Sequence, residues 1–243
     1  MTHILLHACC GPCSLEPTRL LQEEGHQLSI YFYNPNIHPG AEYQHRLETL
    51  HAWADPLGIE VIEGPYNPRD WEQTVGALHR KGCTQEERCR ACYRMRLEQT
   101  AAAAEKLRFE GLSSTLNVSP YQFNDIIAKE TLRAAEAHGL ESLFRDFRPY
   151  YPEATRRSKE LGMYRQNFCG CHYSQDEAEA QRAQRAADRA AKKAQRAAEQ
   201  AIKDEENRKK KAQRAEHDRK QAAKKAARNA ARAAAKAAQE KQE

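Results

Sequence analysis

From Asp176 onward the chain has almost nothing with which to build a hydrophobic core. Residues 176–243 hold 24 Ala, 20 Lys and Arg and 12 Asp and Glu, with no Gly or Pro, and Ile202 is the only apolar side chain larger than Ala. A folded domain must therefore come from the first 175 residues, a normal size for one domain. The formal charge of +5 is then a body near −3 (19 Lys and Arg against 22 Asp and Glu) joined to a tail near +8. We expect a catalytic domain over 1–175 and a charged tail over 176–243. All eight Cys and every Trp, Tyr, Phe, Gly and Pro lie in the body, so the chemistry is expected there.

Thr2 to Ala8 is apolar but too short for a signal-peptide core, has no basic start and runs directly into Cys9-Cys10. No apolar run approaches the ~18 residues of a membrane span. The expectation is a soluble cytosolic protein, in which clustered cysteines point to metal binding or redox catalysis rather than to a disulfide scaffold.

Four short apolar runs read as strands: Ile4 to Leu6, Leu28 to Tyr33, Ile59 to Ile62 and Gly111 to Leu116. Between them lie helical stretches over Leu15 to Glu24 after a cap at Ser14, Ala41 to Ala54, and Cys89 to Leu107. Ser119-Pro120 predicts a capped helix start with its end near Gly139, and Glu153 to Leu161 a further short helix. This β-α alternation predicts an α/β fold with a parallel sheet and helices on both faces. Ligands of such sheets bind beyond the carboxyl ends of the strands, so the turn His7 to Ser14 is the first place to look.

Seven of the eight cysteines form three groups: Cys9, Cys10 and Cys13; Cys89 and Cys92; Cys169 and Cys171. Two thiols on one short turn lose little additional chain entropy when both bind a metal. Cys89 and Cys92 are expected on one face at a helix start, where the positive helix end, with Arg88, Arg90, Arg94 and Arg96 nearby, lowers thiol pKa values. A single residue separates Cys169 from Cys171, spacing that suits a strained, reducible disulfide or metal ligation. Four thiols of the first two groups suffice for an iron–sulfur cluster, leaving three for a second redox or metal function. Cys83 stands apart and is assigned no role.

Five stretches carry a family resemblance: Leu5 to Cys13 (LLHACCGPC), Tyr31 to Ile37 (YFYNPNI), Arg88 to Leu97 (RCRACYRMRL), Ser114 to Tyr121 (STLNVSPY) and Tyr164 to Cys171 (YRQNFCGC). In this order, over about residues 3 to 174, the chain resembles the cobalamin-independent epoxyqueuosine reductases of the QueH type. The resemblance implies a Rossmann-like, HUP-type fold and reduction of the epoxide of epoxyqueuosine, in the wobble position of tRNA, to queuosine. It implies that Cys9, Cys10, Cys89 and Cys92 ligate a [4Fe-4S] cluster, that Cys169 and Cys171 form a redox-active pair, and that Cys13 or the Cys169–Cys171 pair is available to an additional iron. The implied partners are tRNA carrying epoxyqueuosine and an unidentified electron donor.

Epoxide removal needs two electrons and two protons, and His7, Tyr121, Asp125 and Tyr164 are the candidate proton donors. Asn34 and Asn36 flank a turn at the same sheet edge as Cys9 and either shape a pocket or satisfy the turn. Arg88, Arg94, Arg96 and Arg165, with Tyr31, Tyr33 and Tyr93, are candidates for phosphate and base contacts, or for ordinary surface and packing roles. The tail has high helix propensity and is expected to be a charged helical or disordered extension. The competing functional reading is a zinc-stabilised RNA-binding protein without redox chemistry. ATP-dependent chemistry is disfavoured, because Cys10-Gly11-Pro12-Cys13 stands where a Gly-rich phosphate loop would lie.

Overall fold

A computed structural model describes residues 2–239 of the chain, which divides into two compact units between Ala178 and Glu179. The first unit holds five parallel strands, β1 (His3–His7), β2 (Gln27–Phe32), β3 (Val61–Glu63), β4 (Gly111–Ser114) and β5 (Glu141–Ser142), in the order β3-β2-β1-β4-β5. The helices are α1 (Gly11–Glu23), α2 (Gly40–Ala54), α3 (Pro68–Trp71), α4 (Ala77–Arg80), α5 (Gln85–Lys106), α6 (Asn124–Ala137), α7 (Tyr151–Glu160) and α8 (His172–Gln239).

Alternation along the central strands assigns the two faces. Ile4 and Leu6 of β1, with Ile30 and Phe32 of β2, pack against Leu20 and Leu21 of α1 and Leu47 and Leu50 of α2. Leu5 and Tyr31 point the other way, with Ala104 of α5, while Leu97 and Ala101 of α5 join Leu112 of β4 and Ile126, Ile127 and Ala134 of α6. Helices thus cover both faces of a parallel sheet, the expected Rossmann-like arrangement. Covering both faces removes Ile4, Leu5 and Leu6 entirely from solvent, at roughly 1.5–3 kcal/mol each.

Four helix starts depart from the sequence expectation. α1 begins at Gly11, not after Ser14: Cys10 takes the extended cap position (φ −174°, ψ 161°), Pro12 fits the first turn, and the Ser14 hydroxyl donates back to the Cys10 carbonyl at 2.9 Å. α5 begins at Gln85, because Thr84 and Glu87 form a reciprocal capping box a turn before Cys89. α6 begins at Asn124, since Leu116–Val118 first makes a 3₁₀ turn and Ser119 accepts the Tyr121 amide. α7 starts at Tyr151, two residues early. β3 forms at Val61–Glu63 and β4 stops at Ser114.

In the second unit the chain continues as helix to Gln239, and every side chain described between 179 and 230 is exposed. Residues 240–243 of the expected tail lie outside the described residues. No helix among the described residues is long and apolar enough to cross a membrane.

Candidate functional site

β1 and β4 lie side by side, yet the chain leaves β1 towards β2 and β4 towards β5. This divergence opens a crevice at the strand carboxyl ends. Cys9 enters it directly after β1, where its amide donates to the Thr115 hydroxyl, the residue following β4, at 3.3 Å. Cys10 precedes α1 and Cys13 stands in its first turn, so the three thiols converge within 4.8 Å of one another, with Cys9 and Cys10 Sγ 3.8 Å apart. Among the described residues no other group of three or more Cys, His, Asp or Glu gathers its ligand atoms so closely. Such a soft donor set can hold a thiophilic metal.

The three thiols divide their acidity unequally. Hydrogen bonds from Cys10 and Cys13, helped by Arg96 and the Thr115 hydroxyl against the cost of burial, hold Cys9 well below the ordinary thiol range. For Cys10, a hydrogen bond from Cys13 favours the thiolate, but its own donation to Cys9, burial and the Cys9 charge push it up to about 12. Cys13, donating to both neighbours, is raised well above the usual value. The trio therefore carries its first negative charge on Cys9. Gln166 donates to Cys10 Sγ at 2.7 Å.

The second pair sits on α5. Cys92 is buried beside Trp71, whose indole N–H donates to its sulfur at 3.3 Å, and packs in one cluster with Cys171 and the partly buried Cys169. Cys89 and Cys9 both pack against the cluster containing Tyr93 and Leu116. The expectation of lowered pKa values here is corrected. Helix α5 starts four residues before Cys89, and burial, with the neighbouring Cys169 charge, raises both Cys89 and Cys92 despite Arg88 and Arg96.

Cys169 and Cys171 face each other as free thiols with sulfurs 3.9 Å apart, and no disulfide forms among the described residues. Their loop is fixed from α2. Buried Arg46 donates to the Cys169 carbonyl at 3.1 Å and the Phe168 carbonyl at 3.3 Å, while its Nε binds Glu42 at 2.7 Å. Gly170 carries a left-handed φ of +117°, and a Cβ there would meet Ile37 at 2.7 Å. The Cys171 thiol, with Ser174 (Sγ–Oγ 3.0 Å) and Arg96, outweighs burial and lowers Cys169 to about 6; Cys171 is correspondingly raised.

Buried polar atoms without partners surround these thiols: both side-chain atoms of Asn36, Oε1 of Gln166, and Nε of Arg88 and Arg96. Native interiors satisfy nearly all such groups, so several together mark a place where a polar or charged group belongs.

Comparison with known proteins bears directly on this site. A family profile described as "Epoxyqueuosine reductase QueH" matches residues 4–177. The chain belongs to the epoxyqueuosine reductase QueH family. It is 37% identical over 175 residues to the QueH of Dehalococcoides mccartyi, covering 72% of this chain and 93% of that one. It is 34% identical to the QueH of Thermotoga maritima, covering 76% and 96%, and 34% identical to that of Haemophilus influenzae, covering 70% and 71%. A crystal structure of a predicted tRNA methyltransferase subunit from Methanocaldococcus jannaschii aligns with a TM-score of 0.46 at 12% identity, over 66% of this chain and 75% of that one. The family profile match ends within the first unit.

In this QueH chain two of the four candidate RNA-contacting cations, Arg88 and Arg96, are internal, and Arg94 is exposed. Arg96 is buried, donates to Asn34 at 2.5 Å and lies close enough to favour the thiolates of Cys9 and Cys169 and to oppose the burial that raises Cys92. Arg88 is buried and paired with Glu177 at 2.6 Å, Arg94 is paired with Glu130, and Arg165 binds Thr155 and Ser158. Tyr31, Tyr33 and Tyr93 are buried rather than open to stacking. Asn34 also donates to the Ala8 carbonyl at 2.9 Å, so it serves the turn, whereas Asn36 has no protein partner.

The proton-donor candidates separate in the same way. His7 is buried, and burial with Arg96 holds its pKa near about 3; its ring nitrogens meet Tyr33 O at 3.2 Å and Ser114 Oγ at 3.3 Å. Because Ser114 accepts the Leu116 amide, its hydroxyl proton is free for His7 Nδ1, leaving Nε2–H to donate to Tyr33. Tyr164 donates to Glu42 at 2.7 Å, and Tyr121 and Asp125 are exposed. Sequence reasoning missed Arg46, Trp71, Thr115 and Gln166, whose residue types carry no metal-site signature.

Proposed function

We propose that this chain reduces the epoxide of epoxyqueuosine in the wobble position of tRNA to the alkene of queuosine. Cys9, Cys10, Cys89 and Cys92 hold a [4Fe-4S] cluster, Cys13 is available to an additional iron, and Cys169 with Cys171 is the redox-active pair. The observation that carries this reading is the gathering of the Cys9, Cys10 and Cys13 thiols at the β1/β4 crevice of a QueH-family fold. The donor set fits an iron–sulfur group: it is sulfur-rich, it bears a low-pKa thiol at Cys9, and the unpartnered amide of Asn36 and Oε1 of Gln166 stand near its thiols. When bound, a cluster supplies one-electron transfer and Lewis-acidic iron.

The Cys169–Cys171 pair accounts for the electrons of the reaction and for one of its protons. Converting an epoxide to an alkene and water consumes two electrons and two protons, and oxidising two thiols to one disulfide releases the same. With Cys169 lowered to about 6 and Cys171 raised, the pair at neutral pH is one thiolate and one thiol, so its closure to a disulfide supplies both electrons and the one proton on Cys171, and the second proton is drawn from solvent. Arg46 holds the loop so that the sulfurs face each other, and an external reductant must restore the dithiol after each turnover. The burial of Trp71 and Cys92 beside the pair limits water at the sulfurs. We place the activity in the cytoplasm, whose reducing poise keeps such thiols reduced.

Anaerobic incubation of the iron-reconstituted protein with epoxyqueuosine-containing tRNA and a reductant, followed by nucleoside mass spectrometry, is expected to show loss of one oxygen. An unchanged nucleoside with iron and sulfide fully loaded would refute the reductase reading. A Cys169→Ser, Cys171→Ser double variant that keeps its cluster and full multiple turnover would refute the role of the pair.

A further inference from the structure

The helix beyond Ala178 has a sidedness that its composition conceals. With successive residues 100° apart around α8, ten of the twelve Lys and Arg between 179 and 215 fall within an arc of about 100°. Arg182, Arg185, Arg189, Lys192, Arg196 and Lys203 begin this row at helical spacing. None of the six Asp and Glu of the same stretch lies on the arc, and its alanines occupy the opposite side. The side chains described here are all exposed. From Arg182 to Arg214 the row runs for about 50 Å.

We propose that this stripe is a binding surface for the phosphate backbone of the tRNA substrate, an electrostatic arm appended to the catalytic unit. The inference rests on the reading that the substrate is tRNA. Acidic neighbours serve part of the row, with Glu179 3.9 Å from Arg182 and with Asp188, Glu199 and Glu206 four residues before Lys192, Lys203 and Lys210, but Arg185 and Arg189, Lys192 and Arg196, and Lys210 and Arg214 also place like charges at i, i+4. Such repulsion is relieved by an anionic partner lying along the row. The apolar residues of the opposite face are Ala and Ile202, interrupted by Glu205 and Lys209, too little apolar surface to insert into a bilayer. The body carries a net charge near −3, and Arg88, Arg94 and Arg96 each have a protein partner, so this helix is the chain's main concentration of positive charge for long-range attraction of polyanions.

The test is equilibrium binding of epoxyqueuosine-containing tRNA to the full chain as salt is varied, against two variants of matched helicity by circular dichroism. The first replaces four stripe residues (Arg185→Gln, Arg189→Gln, Lys192→Gln, Arg196→Gln). It is expected to weaken binding roughly tenfold or more at 0.1 M salt and to reduce the slope of log K against log salt by about 3. The second keeps composition and net charge but moves the charges across the helix (those four positions to Ala, with Ala183→Arg, Ala187→Arg, Ala190→Lys and Ala194→Arg), and is expected to weaken binding comparably. Wild-type affinity of the first variant at every salt concentration would overturn the arm, and wild-type affinity of the second would overturn the stripe. Tighter binding of the full chain to phosphatidylglycerol vesicles than to tRNA would overturn the choice of partner. Binding is read without turnover, so these failures are distinct from failure to reduce the nucleoside.

Discussion

The Arg96 guanidinium donates to Asn34 Oδ1 at 2.5 Å with both side chains buried, tying α5 to the turn after β2. Asn34 in turn holds the Ala8 carbonyl, immediately before Cys9. Arg96 is thus a fixed cation beside thiols contributed by all three cysteine groups, helping to lower Cys9 and Cys169 and partly offsetting the burial that raises Cys92. Replacing it with Met leaves Asn34 Oδ1 buried and unpaired, which should cost on the order of 1–3 kcal/mol. The Cys169 alkylation midpoint should also move upward from about 6. An unchanged midpoint in the folded R96M protein would show that its charge does not reach the thiol.

Arg46 controls position rather than charge. Its planar fork serves the Cys169 and Phe168 carbonyls and Glu42 together, and a single ammonium cannot reproduce that geometry. R46K should therefore keep the fold, speed amide hydrogen exchange over residues 168–171, and slow closure of the Cys169–Cys171 disulfide on mild oxidation. Closure at the wild-type rate would show that the His38 amide, which donates to the Gly170 carbonyl at 2.8 Å, is enough to hold the loop.

The contrast between cysteines and arginines explains how far the sequence could be read. β1 and β2 were legible because a strand covered on both faces must be continuously apolar, and clustered thiols announce metal or redox chemistry whatever the fold. β5 has two residues, and its pairing with β4 depends on the neighbour rather than on its own pattern. The helix start assigned to Ser119-Pro120 failed because the same signals also make a turn. Arg46 was illegible as a site residue, and Arg96 was legible only as a cation near Cys89 and Cys92 and not as a buried one, for a different reason. Arginines on helices are usually solvated, and only the packing of α2 and α5 around the crevice turns these two inward.

The unequal acidities of Cys169 and Cys171 predict a pH profile. In metal-free protein, alkylation of Cys169 should rise with a midpoint near 6 and level off below pH 8, where an ordinary thiol of pKa about 8.5 is still gaining reactivity. Cys171, raised by its hydrogen bond to Cys169 and by burial, should stay unmodified across that range. Cys171→Ser replaces the thiol donor with a hydroxyl and should leave the Cys169 midpoint below the ordinary range, whereas Cys171→Ala should raise it. Equal midpoints in the Ser and Ala variants would exclude the hydrogen bond as the cause.

Away from the crevice, His138 at the end of α6 links that helix to α5. Its ring nitrogens meet Glu105 at 2.6 Å and Glu98 at 3.0 Å, and hydrogen bonds to Glu105 and then Glu98 raise its pKa above 6.5 in the folded state. A raised folded-state pKa means that the proton binds the native form more tightly. The stabilisation is then full below pH 6.5 and disappears as pH rises through the folded value. Because both carboxylates are substantially exposed, the contribution is discounted to about 0.5–1 kcal/mol. His138→Gln should therefore lower the urea midpoint at pH 5.5 and scarcely change it at pH 9, as read from paired denaturation curves. A loss of the same size at both pH values would assign the effect to packing instead of to the protonated ring.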